Sequence, residues 1–464
     1  MQSFKFGSDP NGEPYTLELG ANWIQGLGAE GGPENPILTF SKQANLSNTY
    51  SNFSSILTYD STGANDFSDL LDEYEKNYAT VEQNAGAILK ENLQDRSMRA
   101  GFWQSGWRPK DAHRKAVEWW EWDWETSQTP EESSMVFGIT GYNLTFYQYS
   151  EENNLSVDQR GFAVWLKLQA AKFLKANDPR LLLNTIVTDI EYSDTGVTIT
   201  TSNGTCIEAS YAINTVSLGV LQNDAITFSP ELPDWKQDSI ATFAMGTYTK
   251  IFYQFNETFW PTDTQFFLYA HPTTRGYYTV WQSLSTEGFL PGSNIIFATL
   301  VDEQSYRIEA QDDEVTKQEG LEVLRQMFPN ITIPEPTAFS YPRWTQIPWS
   351  YGSYSNWPTG TTLEMHQNLR ANIERLYFAG EATSAEYFGF LHGAWFEGQE
   401  VGQRIAGMVG EECRNKESGC GEYVRYEVLH GTTEEGEYND FNGMGADPFY
   451  LAGGGDDEGL WGGR

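Results

Sequence analysis

Between Leu376 and Trp395 the chain runs Leu376-Tyr-Phe-Ala-Gly-Glu-Ala-Thr-Ser-Ala-Glu-Tyr-Phe-Gly-Phe-Leu-His-Gly-Ala-Trp395, and this block constrains the fold more than any other. Its apolar start, Leu376 to Ala379, suffices for a short strand and stops at Gly380-Glu381. A helix rich in small residues then opens near Gly389 and runs to about Met408. Strand, acidic turn and helix start, in that order, bring one carboxylate and several unpaired backbone N–H groups to a point. Helix N-termini carry partial positive charge, so an anionic cofactor group can be held there. Gly393, Ala394 and Gly398 would keep the helix thin enough to approach a cofactor; the alternative is a helix packed tightly on its neighbours. A Gly-x-Gly-x-x-Gly turn after a strand, the usual companion of such a site, occurs nowhere in the sequence.

The 464 residues can bury a large core in two domains or one elaborate one. Lys and Arg number 29 against 64 Asp and Glu, a net charge of −35. That field disfavours nucleic acid and anionic membranes as partners and attracts cations, a polycationic small molecule included. No apolar run is long enough to span a bilayer, and the first residues are not a signal peptide. Asn-x-Ser/Thr sequons at Asn45, Asn52, Asn143, Asn154, Asn203, Asn256 and Asn330 nevertheless point toward the secretory route. Of the three cysteines, Cys413 and Cys420 are close enough to close a small loop, and Cys206 is expected as a buried strand thiol. None has metal-ligand spacing.

Tyr15 to Leu19 reads as a strand entering the Gly-rich loop Gly20 to Gly26. Asn35 to Ala112 reads as helical and polar, Lys115 to Trp124 as a Trp-rich helix, and Asp158 to Phe173 as an amphipathic helix. Thr185 to Tyr192, Val197 to Thr201 and Cys206 to Asn214 alternate as a meander with turns at Asp194-Thr-Gly196 and Asn203-Gly204. Tyr248 to Phe255 and Ile295 to Val301 are further strands, and Asp312 to Phe328 is a helix. Beyond Gly410 the chain becomes a Gly-, Glu- and Asp-rich stretch without periodicity, expected as a mobile tail. The pattern implies an α/β domain interleaved with an α+β domain.

The Leu376 block, with Leu17-Glu-Leu-Gly-Ala-Asn-Trp-Ile-Gln-Gly26, Gly246-Thr-Tyr-Thr-Lys250 and Arg343-Trp344 to Tyr354-Ser-Asn-Trp-Pro358, resembles the flavin-dependent amine oxidases, the polyamine oxidase branch in particular. The resemblance covers roughly residues 10 to 410. It implies a Rossmann-like FAD domain, here incomplete (1–34, 160–218 and 336–410), a substrate domain (35–159 and 219–335) and the acidic tail 411–464. It assigns FAD contacts to Gly20, Ala21, Asn22, Trp23, Val187, Trp344, Gly380, Glu381 and Leu391. Glu381 would bond the ribityl-pyrophosphate part, and the helix start the flavin edge. Lys250 and Tyr248 match active-site positions; Lys250 would hold a water beside the flavin during reoxidation by O2. Without the resemblance Lys250 reads as an outward-facing strand residue.

Tyr354 and Phe390 match the walls of an aromatic cage, with Phe390 where plant enzymes carry Tyr. Two facing rings can attract a cationic amine and exclude water around the reacting carbon. Gln25 stands where plant polyamine oxidases carry a substrate-binding Glu. Glu121 and Glu125 share a helix face at i, i+4 and are candidates for holding a distal ammonium, the alternative being a solvated acidic face over buried tryptophans. His392 reads as a locally bonded residue. Ala382-Thr-Ser-Ala-Glu-Tyr387 lacks the Cys that tethers flavin in the monoamine oxidases, so FAD would be non-covalent.

The reaction implied is oxidation of a polyamine by O2 to an imine and H2O2, by a monomer without nucleic-acid or membrane partner. Because the resemblance starts late, weak FAD binding and marginal stability are expected, a truncated gene product being the simplest account. The alternatives are a remnant that no longer binds FAD, and a flavin oxidase of other amines or L-amino acids, which would need an Arg for the substrate carboxylate.

Overall fold

The structure, a computed structural model, describes residues 1–28, 31–90, 93–410, 421–426 and 429. Its largest sheet has seven strands in the order Ala338–Ser340, Tyr248–Gln254, Ile295–Val301, Val280–Ser283, Phe266–Ala270, Ile56–Asp60 and Gly63–Ala64. All neighbours are antiparallel except Phe266–Ala270 and Ile56–Asp60, which run parallel. The strands Ile295–Val301, Phe266–Ala270 and Val280–Ser283 are buried throughout, as continuous aromatic and β-branched runs require when both faces are covered. Helix Asp313–Met327 packs one face with Leu321, Val323, Leu324 and Met327. Helices Asp69–Lys90, Met98–Ser105, Ala112–Glu118 and Met135–Gln148 form a layer whose core includes Tyr74, Phe102, Trp107, Trp119 and Trp122.

Four further strands form a sheet in the order Cys206–Ala209, Val197–Thr201, Val187–Tyr192 and Thr227–Ser229. Ala212–Asn214 pairs in parallel with Leu376–Phe378, and both strands end at the site described below. Helix Leu391–Val409 follows the second of them. This architecture of parallel and antiparallel sheets with interleaved helices agrees with the α/β and α+β pattern expected from the sequence.

Several local expectations are corrected. Within 35–112 the chain also forms strands Asn48–Tyr50, Ile56–Asp60 and Gly63–Ala64; Ile56–Asp60 is stabilised by Phe266–Ala270, more than 200 residues away. The helix expected from Asp158 is confined to Val164–Ala170, because the chain turns at Gly161, whose φ is +93°. The strand expected over Cys206 to Asn214 divides, its halves joining different sheets. Cys206 is exposed, not buried, since its strand is a sheet edge. The Trp-rich helix is α-helical to Glu118 and π-helical over Trp119–Asp123.

Cys413, Cys420 and most of the acidic stretch lie outside the described residues. Within it, Tyr423 is buried beneath Arg370 and Arg404, and Tyr426 exchanges hydrogen bonds with Asn368. No helix among the described residues is long and apolar enough to cross a membrane.

Candidate active site

A cavity of about 740 Å³ opens where the parallel strand pair, the Gly20–Gln25 loop, the π-helical turn and the start of helix Leu391–Val409 converge. Its size lies in the range of small-molecule sites. Gly20, Ala21, Trp23, Gln25, Glu125, Tyr248, Lys250, Trp344, Tyr354, Gly380, Glu381, Phe390 and Leu391 all line it. Segments more than 300 residues apart thus meet around one space.

Three candidates fall elsewhere. Asn22 is buried behind the wall, where its Oδ1 accepts from Lys250. Val187 lines no part of the cavity and packs on the main core. Glu121 is also absent from the lining and acts electrostatically on buried Tyr74 instead. Glu121 lies within the π-helical turn Trp119–Asp123 and Glu125 beyond it, and of the two Glu125 reaches the cavity.

Glu381 follows strand Leu376–Phe378, and its Oε1 accepts from the Ser355 amide (3.0 Å), the Ser355 hydroxyl (2.6 Å) and the Gly389 amide (2.6 Å). Burial raises its pKa, and these bonds offset part of the rise. The turn carrying Gly389 and Phe390 is locked by Gly393, where a Cβ would stand 2.1 Å from the Tyr387 carbonyl oxygen. Phe390 is the N-cap position of the helix, and no acidic side chain occupies the first turn. His392 is wedged between Asn35 and Thr145, and burial lowers its pKa to about 3, so it is neutral and structural.

Lys250 sits on the strand Tyr248–Gln254 and donates to the Gly20 carbonyl (2.7 Å) and Asn22 Oδ1 (2.6 Å), with Nζ 4.8 Å from the Trp23 ring centroid. Burial lowers its pKa to about 7. The expectation of an outward Lys therefore fails: Lys250 is 1% exposed. Tyr248 and Tyr354 stand 6.1 Å apart, centroid to centroid, and Tyr354 donates to the Glu125 carbonyl (2.8 Å). Gln25 Nε2 donates to Glu125 Oε1 at 2.7 Å. Burial pushes the Glu125 pKa up to about 7, with the Gln25 bond opposing the shift.

A consequence for stability follows from the sign of that shift. Above the unfolded carboxyl value of about 4.3 the unfolded chain ionises Glu125 freely, whereas the fold resists it. Glu125→Gln should therefore stabilise the protein by on the order of 1–3 kcal/mol at pH 8, an advantage that vanishes as pH falls below about 4. Thermal melts of both proteins at the two pH values check this; equal differences at both would refute it.

Some wall residues had no sequence signal of their own. Asn214, Thr215 and Val216 follow the parallel strand Ala212–Asn214, and the carboxyl ends of parallel strands are where such folds bind ligands. Asn214, Trp124 and Trp344 line the cavity, and their side-chain N–H groups are buried without a protein hydrogen-bond partner. The close approach of the Gly20 backbone to the Trp344 ring, a helix N-terminus and the Glu381 carboxyl, gathered on one cavity, fit a cofactor with a flat ring system and acceptor groups, such as a flavin. No Arg and no Cys lines the cavity, and no metal-binding cluster of His, Cys, Asp and Glu occurs among the described residues.

Comparison with known proteins agrees with this geometry. The family model described as flavin containing amine oxidoreductase matches residues 1–406. Polyamine oxidase 7 of Oryza sativa subsp. japonica is 36% identical over 399 residues, covering 82% of this chain and 83% of that protein. Polyamine oxidase 1 of Zea mays is 35% identical over 401 residues, covering 82% and 79%. A solved structure of wild-type putrescine oxidase bound to putrescine superposes with a TM-score of 0.63 at 14% identity, over 87% of this chain and 90% of that one, a likeness of fold. With cavity, fold and sequence in agreement, the chain belongs to the flavin-containing amine oxidoreductases and is a flavin-dependent amine oxidase.

Proposed function

We propose that this enzyme oxidises a secondary amine of a polyamine of the spermine or spermidine type, using non-covalently bound FAD and O2. The observation that carries the reading is the meeting, in one cavity, of the Tyr354 and Phe390 rings, the Glu125 carboxylate and Lys250. Three relatives that cover 82% of the chain carry the polyamine oxidase name. An L-amino-acid oxidase is disfavoured because, among the described residues, no Arg lines the cavity to pair with a carboxylate. Non-covalent attachment is supported by a lining that, among the described residues, contains no Cys.

A flavin bound there would supply the acceptor for the hydride equivalent of the amine carbon and the route of those electrons to O2. The rest is positioning by the chain. Gly20, Ala21, Trp344, Gly380, Glu381 and Leu391 would hold the cofactor, and Tyr354 and Phe390 the amine. These rings restrict the amine to one plane and exclude water from the reacting carbon. Lys250, with two of its protons committed to Gly20 and Asn22, sits at the cavity wall where it can hold a further polar group.

The amine must be unprotonated to react, so kcat/KM should rise toward alkaline pH. A profile flat from about pH 5 to alkaline pH would argue against it. The decisive test is the visible spectrum of the protein supplied with FAD. Flavin bands that bleach anaerobically on spermine support the reading; bound flavin that no polyamine bleaches defeats it. A secretory location is supported by the exposure of sequon residues Asn45, Asn203, Asn256 and Asn330. Glycosidase treatment of the protein from its native source should then increase its mobility.

A further inference from the structure

We propose that Glu125 accepts the proton that the substrate ammonium loses before oxidation, and that Gln25 is the residue positioning its carboxylate for this. The proposal rests on the amine-oxidising reading above. An alkylammonium has no nitrogen lone pair to support loss of hydride from the adjacent carbon, so a proton must leave first.

Few groups in the cavity can take it. Lys250, although burial lowers its pKa to about 7, is held by its bonds to Gly20 and Asn22 against the Trp23 ring, apart from the Tyr354–Glu125 side of the cavity. The Tyr354 hydroxyl is committed to the Glu125 carbonyl, and burial keeps both Tyr354 and Tyr248 protonated. Glu381 has three donors converging on Oε1, at the helix start. Glu125 differs, since only the neutral amide of Gln25 supports it, and through Oε1.

The contrast along the same helical segment is instructive. Asp123 is ion-paired with Arg275 (2.6 Å), and Glu118 with Arg99 and Arg275, so each has a cationic partner. The groups facing Glu125 from other elements are Gln25, Tyr248 and Tyr354, none of them cationic. Lys250 lines the same cavity, and its two hydrogen bonds go to Gly20 and Asn22. An arriving ammonium would supply the missing counter-charge. Transfer breaks one N–H bond, forms one O–H bond on Glu125 and replaces two buried charges with a neutral amine and a neutral acid, which a low-dielectric cavity favours. The raised proton affinity of Glu125 suits that role.

The test uses the FAD-loaded enzyme and Glu125→Gln, following anaerobic flavin bleaching by spermine from about pH 6 to about pH 11. The expected result is a loss of about 30-fold or more near neutrality, with recovery to within about threefold of wild type above the amine's own titration near pH 10. An equal loss at every pH would mean an ion-pairing role only and would overturn the proposal, as would an unchanged profile. Gln25→Leu is the second variant. Removing the amide donor should move the acid limb of the wild-type profile up by about one pH unit, and an unmoved limb overturns Gln25's part. If wild-type enzyme is not bleached by spermine at any pH, the amine-oxidase reading itself falls. Bleaching in wild type with no change of profile in Glu125→Gln sinks only the assignment to Glu125.

Discussion

Glu118→Gln is expected to destabilise the protein by about 3 kcal/mol and to loosen the active site with it. Glu118 is fully buried and accepts from Arg99 Nη1 and Nη2 (both 2.6 Å), Arg275 Nη2 (2.9 Å) and the indole of Trp107 (2.9 Å). An amide of the same shape keeps the volume but withdraws the charge opposing two guanidinium groups, and its NH2 must face a donor. Breaking one member of a buried ion network typically costs 3–5 kcal/mol, and the lower end applies because both arginines keep some solvent contact. The helix carrying Glu118 leads directly into the π-helical turn, so Trp124 and Glu125 should lose their placement. Urea unfolding measures the first effect and flavin bleaching by spermine the second. A change below about 0.5 kcal/mol would show that the network is dispensable.

Gly393→Ala should weaken flavin retention by more than tenfold, against what helix propensity predicts. In a helix interior Ala is favoured over Gly by about 1 kcal/mol. Here the new Cβ would meet the Tyr387 carbonyl oxygen at 2.1 Å and its carbon at 2.8 Å, and backbone atoms cannot rotate aside. The turn from Ser384 to Phe390 must move, taking with it the Gly389 amide that holds Glu381 and the Phe390 wall of the cage. Gly402→Ala in the same helix is the control, having open space around its Cβ. It should stabilise by about 0.5–1 kcal/mol without affecting flavin. Equal behaviour of the two variants would refute the argument.

Much of the frame was legible from residue order. Ile295–Val301 occurs with the expected boundaries, and Tyr248–Gln254 within one residue of them. Ile295–Val301 is a short, nearly continuous apolar run and Tyr248–Gln254 is rich in aromatic and β-branched residues, both marks of a strand. Strand Ile56–Asp60 was not legible, because its partner is remote and its five residues carry little signal alone. Cys206 sits on a half-polar strand whose edge position depends on which strands pair.

The site divides in the same way. The Leu376–Trp395 block determined by itself a strand, an acidic turn and a helix start, because each is a local matter of apolar spacing, glycine and capping. Residue type likewise determined that a carboxylate, a Lys and several aromatic rings were available. Which of them share a cavity was decided only by tertiary structure. Lys250 turns inward because the Gly20 carbonyl and Asn22 take its protons, a contact spanning more than 200 positions. Glu125 reaches the cavity and Glu121 does not, and its neighbour is an amide because Gln25 lies on a strand paired far along the chain. The physical reason is common to all of these. Backbone conformation responds to neighbours in sequence, whereas the facing, burial and proton affinity of a side chain respond to whatever the fold brings against it.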